Sequence, residues 1–271
     1  MIAEALEWLV TPASSLARQS GLLAGQIAIR HRAARCRRLW QPHLQATRAY
    51  ITAQVAAISP RPQQVIVLGS GHLNDVDLQA LLDHANHVVL VDIVHPLEVR
   101  WKAFRAGGRI ELIEADISGS LASALAGGRA IHPVDEPLKQ RILSADCVVS
   151  VNILSQLPIG AHDLWTRSGC SETEIDQLSR TIIKGHLDLL VQARHAILIT
   201  DQVARLRGPD ESGATITGSW QDLLFGFPLV QGEEEWIWTI ASATERGDGY
   251  EEERKVVAMR LATRLGTPKS A

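Results

Sequence analysis

Two glycines and an aspartate are the residues whose spacing first points to chemistry. Gly69-Ser70-Gly71 follows the apolar run Val65-Ile66-Val67-Leu68, and Asp92 closes a second run, Val88-Val89-Leu90-Val91, 21 residues after Gly71. A buried strand that ends in Gly-x-Gly must turn sharply and lets backbone approach a ligand closely. A carboxylate at the end of the next strand can accept hydrogen bonds from ribose hydroxyls. The pair defines a nucleotide-type site, and taken alone it favours a dinucleotide as readily as any other nucleoside cofactor. Candidate proton-transfer groups are His72, inside the glycine turn, and the adjacent His162 and Asp163 further on. His84 and His87 form an H-x-x-H pair without an acidic or cysteine partner, and Cys36, Cys147 and Cys170 are far apart, so neither a metal site nor a disulfide framework is expected. The G-x-S-x-G, H-E-x-x-H and G-x-x-x-x-G-K-[ST] patterns are absent, which removes the common hydrolase, zincin and P-loop chemistries.

The elements that must position these residues can be read from hydrophobic periodicity. Short apolar runs predict strands over 64–69, 88–92, 110–114, 146–151 and 196–200. They alternate with helical patterns over 74–85, 96–106, 119–126 and much of 172–193, as βαβ units with a parallel sheet require. The stretch 158–171, which carries His162 and Asp163, reads as a loop or short helix. Upstream, residues 3–9, 14–29 and 26–58 have helical character, and Ser59-Pro60-Arg61-Pro62 ends it. The proline pair divides the chain into an N-terminal helical region, 1–59, and an α/β region, 60–271. Near the end, 235–241 and 255–261 are strand-like and are joined through the turn-rich Arg246-Gly247-Asp248-Gly249 with no helical crossover, so they should pair as an antiparallel hairpin. The final residues, 267–271, should fray.

An acid also follows the third strand, Asp116 in Ile113-Glu114-Ala115-Asp116-Ile117. Asn152 follows the fourth, in Ser150-Val151-Asn152-Ile153-Leu154-Ser155. With the glycine turn, Asp92 and the terminal hairpin, residues 60–262 resemble the class I S-adenosylmethionine-dependent methyltransferases. The resemblance implies a doubly wound α/β fold with a mostly parallel seven-stranded sheet, whose antiparallel strand the C-terminal hairpin supplies, preceded here by the helical N-terminal region. It implies S-adenosyl-L-methionine as cofactor. Gly69, Ser70 and Gly71 would lie along its methionine portion, Asp92 at the ribose, Asp116 and the backbone of Ile117 at the adenine, and Asn152 at the edge facing the methyl group. The implied activity is methyl transfer to an oxygen, nitrogen or carbon of a small molecule. Two positions depart from the family pattern: Val67 stands where an acid usually precedes the first glycine, and Leu73 where a third glycine is usual. Asp75 or Asp77 could take the place of that acid, or the cofactor could be held differently. An aminopropyl transferase and a non-catalytic adenosyl-ligand-binding protein are alternatives on the same sheet.

Composition frames these readings. The chain of 271 residues is 46% apolar, enough for a sizeable core, and its formal charge is -3. Residues 1–60 hold seven arginines and two glutamates, a balance of +5, so the remainder carries -8. Arg30, Arg32, Arg35, Arg37 and Arg38 form a cluster that could attract an anionic small-molecule substrate or mark a contact between two copies in a homodimer. The acidity of the whole chain and the lack of an RNA-binding module speak against nucleic acid. The N-terminus lacks the charge pattern of a secretory peptide, and no apolar run is long enough to span a bilayer, so a cytoplasmic protein is expected.

Overall fold

Strand β1 (Gln64–Leu68) sets the layering of the molecule. Val65 and Val67 face one layer of helices and Ile66 and Leu68 the other, all fully buried. Side chains alternate across a strand, and a strand covered on both faces has no polar side. The computed structural model describes residues 2–210, 214–227 and 232–261; the frayed end expected over 267–271 lies outside them.

Four helices come first, α1 (Ile2–Val10), α2 (Ser15–Gln19), α3 (Leu22–Arg35) and α4 (Arg37–Ala56). After β1 the chain alternates through α5 (Leu78–His84), β2 (His87–Asp92), α6 (Leu97–Arg105), β3 (Ile110–Glu114), α7 (Leu121–Leu125), α8 (Glu136–Ser144) and β4 (Cys147–Val151). It continues through α9 (Ile159–Arg167), α10 (Glu172–Leu190), β5 (Ala196–Pro209), β6 (Thr215–Thr217) and β7 (Gln221–Asp222). It closes with β8 (Glu234–Ala241), α11 (Ala243–Arg246) and β9 (Glu251–Leu261). The sheet order is β3-β2-β1-β4-β5-β9-β8, with the first five strands mutually parallel. β9 runs antiparallel to β5, and β8 antiparallel to β9. The terminal hairpin thus extends the sheet in the arrangement expected of it, with β9 reversed along the seven-strand path, while the short β6 and β7 also pair antiparallel to β5 and bring the sheet to nine strands. The strand order turns back between β1 and β4, so loops leaving these neighbours diverge and open a crevice at their carboxyl ends.

Helix α4 lays Trp40, His43, Thr47, Tyr50, Ile51 and Val55 on the sheet at helical spacing, beside α5 and α6. α7, α8, α9 and α10 cover the opposite face. α10 starts with a capping box in which Ser171 and Glu174 satisfy each other's backbone. Several boundaries differ from the sequence reading: β9 begins at Glu251 rather than at 255, and α8 stands where no helix was expected. The helix expected from 74 begins at Leu78, because Asp77 caps it through the amide of Ala80 (3.1 Å) and Leu73 adopts a left-handed conformation (φ 60°). β5 continues nine residues past 200. Its extension is polar, carrying Arg205 against Glu253 (2.8 Å) and Arg207 against Glu251 (3.6 Å) across to β9, so it shows no apolar run. Among the described residues no helix is long and apolar enough to cross a membrane.

Candidate functional site

A cavity of about 360 Å³ lies at the carboxyl ends of β1 to β4, beneath α3, within the size range of small-molecule sites. Gly69, Ser70, Gly71, Asp92, Asp116, Ile117 and Asn152 all line it, as does His72. Residues spread over more than eighty positions converge because each ends a parallel strand or starts the loop beyond it.

The glycine turn is shaped by close packing. Gly69 has φ +82°, and a Cβ there would sit 2.8 Å from Ile153 Cβ and 2.9 Å from the Val151 carbonyl oxygen, so only glycine lets β1 turn against the end of β4. The Gly71 amide donates to Asp92 Oδ2 (2.7 Å), tying the turn to β2. His72 is buried. Its Nε2 lies 2.9 Å from the Gln26 carbonyl oxygen and its Nδ1 2.9 Å from Glu98 Oε1. Both contacts tie the glycine turn to α3 and α6.

Asp92 closes β2 with 5% of its surface exposed. Its Oδ1 accepts from the amide of Ile93 (2.8 Å) and from Gln26 Nε2 of α3 (3.3 Å). Burial pushes its carboxyl above the ordinary range, against the pull of these amides and of His95. His95 is itself buried, which lowers its pKa; its Nε2 donates to the Ile113 carbonyl (3.1 Å). Asp116 folds its own loop: Oδ1 accepts from the Ser118 hydroxyl (2.6 Å) and the amides of Ser118 (2.9 Å) and Gly119 (3.2 Å), and Oδ2 from the amide of Leu121 (3.0 Å). It stands at the cavity wall as a turn-forming carboxylate.

The other end of the cavity is built by elements that sequence reasoning did not connect to it. Asn152, first after β4 and left-handed (φ 49°), brings its amide nitrogen 3.2 Å from His43 Nε2; Asp75 Oδ1 lies 3.1 Å from the same nitrogen. Trp236 donates its indole N–H to His43 Nδ1 (3.0 Å), and the His43 ring stacks on Trp238 at 4.0 Å and 7°. Trp40, Leu44, Trp238 and Ile240 give this end apolar walls. Arg254, also lining it, pairs with the buried Asp201 and with Glu252 (2.9 Å). Burial opposes the Arg254 charge, but these carboxylates outweigh it and raise its pKa. Asp201 is further held by the Ser155 hydroxyl. Among the described residues, three buried polar atoms of lining residues have no partner: Ser70 Oγ, Asn152 Oδ1 and Trp238 Nε1.

His162 and Asp163 lie elsewhere. They sit on α9 with exposed side chains, 3.6 Å from each other, and do not line the cavity, although Ile159 and Gly160 of that helix do. Of the arginine cluster Arg32 alone lines the cavity. Arg30 pairs with Glu7 (2.8 Å), while Arg35 (2.6 Å) and Arg32 (3.6 Å) pair with Glu245. Sequence reasoning passed over Gln26, Arg254 and Trp238 on the cavity wall and His43 and Asp201, which contact lining residues from behind. For His43 a signal existed: a histidine on the apolar stripe of α4.

No protein-family model matches the sequence, and no curated protein matches it. Among solved structures the chain is similar to the 1,6-didemethyltoxoflavin-N1-methyltransferase of Burkholderia thailandensis, at 14% identity over 92% of each chain with a TM-score of 0.41. It is also similar to an S-adenosylmethionine-dependent methyltransferase of Leishmania major, at 12% identity over 94% of this chain and 81% of that one, with a TM-score of 0.37.

Proposed function

We propose that the protein transfers a methyl group from S-adenosylmethionine to an oxygen, nitrogen or carbon of a small-molecule acceptor. The observation that carries this reading is the single cavity in which the Gly69–Gly71 turn, Asp92 and Asp116 meet at the carboxyl ends of three successive parallel strands. The unpartnered Ser70 Oγ and Asn152 amide on its wall fit a polar cofactor. Asp92 would hold the ribose hydroxyls, Asp116 and Ile117 the adenine, and the glycine turn and Asn152 the methionine portion.

The cofactor supplies an electrophilic methyl on a sulfonium sulfur, ready for in-line displacement. The protein's own task is alignment in a site poor in water. Trp40, Leu44, Trp238 and Ile240 supply apolar walls beyond Asn152, suited to the body of an acceptor, and the free indole N–H of Trp238 offers it one hydrogen bond. A base is needed where the acceptor must lose a proton before attack. The N-terminal helices, residues 1–59, act as the cover: Leu22, Gly25 and Gln26 of α3 already close one side of the cavity.

Calorimetry with S-adenosylmethionine and S-adenosylhomocysteine tests the reading, and binding to neither refutes it. Asp92→Ala should weaken cofactor binding at least about tenfold, roughly 1.4 kcal/mol, by removing a charged acceptor. Unchanged affinity would show the ribose assignment to be wrong.

A further inference from the structure

Resting on the methyltransferase reading above, we propose that Asp75, braced by His43 of α4, is the counter-ion of the cofactor's α-ammonium group. Position 67, two residues before the first glycine, offers no charge: Val67 is fully buried in the core against one layer of helices. The ammonium must therefore find its carboxylate elsewhere on the cavity wall.

Three carboxylates line that wall, Asp75, Asp92 and Asp116. Both oxygens of Asp92 and of Asp116 already accept hydrogen bonds from their own loops and neighbours. Asp75 differs. Its Oδ1 meets His43, while among the described residues its Oδ2 accepts no hydrogen bond. Asp77, the other nearby acid, is exposed and caps α5.

Among the described residues no lysine or arginine pairs with Asp75. Indole is a donor only, so the Trp236 N–H that meets His43 Nδ1 fixes the unprotonated nitrogen there and places the ring proton on Nε2. His43 then donates to Asp75 as a dipole and brings no cation. Arg48 holds the carbonyl of Asn74, the residue before Asp75 (2.8 Å). A carboxylate oriented by a buried imidazole, partly shielded from water and without a cation of its own, is built to receive one from a ligand.

The same tautomer orients Asn152. A ring N–H on Nε2 cannot accept from the amide nitrogen set 3.2 Å away, so the amide turns its oxygen to His43 and its NH₂ to the position now unpartnered. The cavity wall beside the glycine turn then offers a carboxylate and an amide donor side by side, both fixed by His43. Gly69 packs directly on Val151 and Ile153, which flank Asn152, so this pair sits at the methionine end of the site. His43 is a positioning residue: it is 1% exposed and acts through Asp75 and Asn152.

The test is calorimetric titration of wild type and Asp75→Asn with S-adenosylhomocysteine, its desamino analogue and 5′-methylthioadenosine, which lacks the amino-acid portion. Asparagine keeps the acceptor for His43 and removes the charge. Asp75→Asn should bind S-adenosylhomocysteine about tenfold more weakly than wild type, no longer distinguish it from the desamino analogue, and bind 5′-methylthioadenosine unchanged. His43→Gln should show the same ligand-selective loss in smaller measure. Equal weakening of all three ligands, or unchanged S-adenosylhomocysteine affinity, overturns the assignment and leaves the methyltransferase reading standing. Equal affinity of the wild type for S-adenosylhomocysteine and its desamino analogue overturns it too, whatever the variant's stability. A wild type that binds none of the three refutes the cofactor reading and this assignment with it.

Discussion

Gly69→Ala isolates the close approach on which the site is built. Two costs add at this position. At φ +82° an alanine is held in left-handed backbone, worth about 1–2 kcal/mol. Its Cβ would also meet Ile153 Cβ at 2.8 Å, the Val151 carbonyl oxygen at 2.9 Å and Ile153 Cδ1 at 3.1 Å. Two of these three atoms cannot swing aside, since one is backbone and one is a Cβ, so relief requires β1 and β4 to part. Overpacking of that kind costs about 1–3 kcal/mol. The sum, about 2–5 kcal/mol, is a large share of the roughly 5–15 kcal/mol that stabilises a domain. Gly169→Ala supplies the control, because Gly169 has nearly the same conformation (φ +80°) and nothing lies within 4 Å of where its Cβ would stand. It should lose the backbone cost alone. Urea denaturation of wild type and both variants, read from the midpoints at constant slope, gives the difference, expected at about 1–3 kcal/mol. Equal destabilisation by the two substitutions would refute the argument that the end of β4 dictates glycine at position 69. Because Val151 and Ile153 line the cavity, Gly69→Ala should also weaken S-adenosylhomocysteine binding while Gly169→Ala leaves it intact.

Other parts of the structure give sharp expectations. His186 is buried beneath β4 with Nε2 2.8 Å from Ser150 Oγ, and burial pushes its imidazole down to about 4. Between pH 6.5 and 4 the unfolded chain takes a proton there that the folded chain refuses, so stability falls as pH drops through this window, by about 3 kcal/mol, and is unaffected above it. Urea titrations across that range should show a shallower decline for His186→Leu; an unchanged slope would refute the assignment. Arg254→Leu strands the buried carboxylate of Asp201 and should cost about 3–5 kcal/mol, whereas the double change Arg254→Leu with Asp201→Leu should cost less. Additive losses in that double-mutant cycle would show the pair to be uncoupled. His162→Ala and Asp163→Ala lie outside the cavity and should leave kcat/KM within about twofold of wild type once an acceptor is in hand. A hundredfold loss would restore them to the chemistry.

Much of the fold was legible in the chain because its central strands are buried on both faces. Val65-Ile66-Val67-Leu68, Val88-Val89-Leu90-Val91 and Cys147-Val148-Val149 admit few polar residues, so each declares itself locally, and Gly69, Asp92 and Asn152 stand at or just beyond their carboxyl ends, as Asp116 does beyond β3. Those positions meet in one cavity because parallel strands bring their carboxyl ends to one edge. The polar half of β5 was hidden, since its partners are the glutamates of β9 and cross-strand ion pairs leave no apolar run to read.

The sequence by itself determined the alternation of strands and helices, the glycine turn and the strand-end acids, all consequences of neighbours along the chain. Tertiary structure alone decided that His43, Trp236 and Trp238 stand beside Asp75 and Asn152, that Gln26 and His72 link α3 to the glycine turn, and that His162 and Asp163 lie outside the cavity lining. The contact between His43 and Trp236 joins residues 193 positions apart. No local pattern encodes which nitrogen of a buried imidazole carries its proton, because that is set by the donor that happens to pack against the other one.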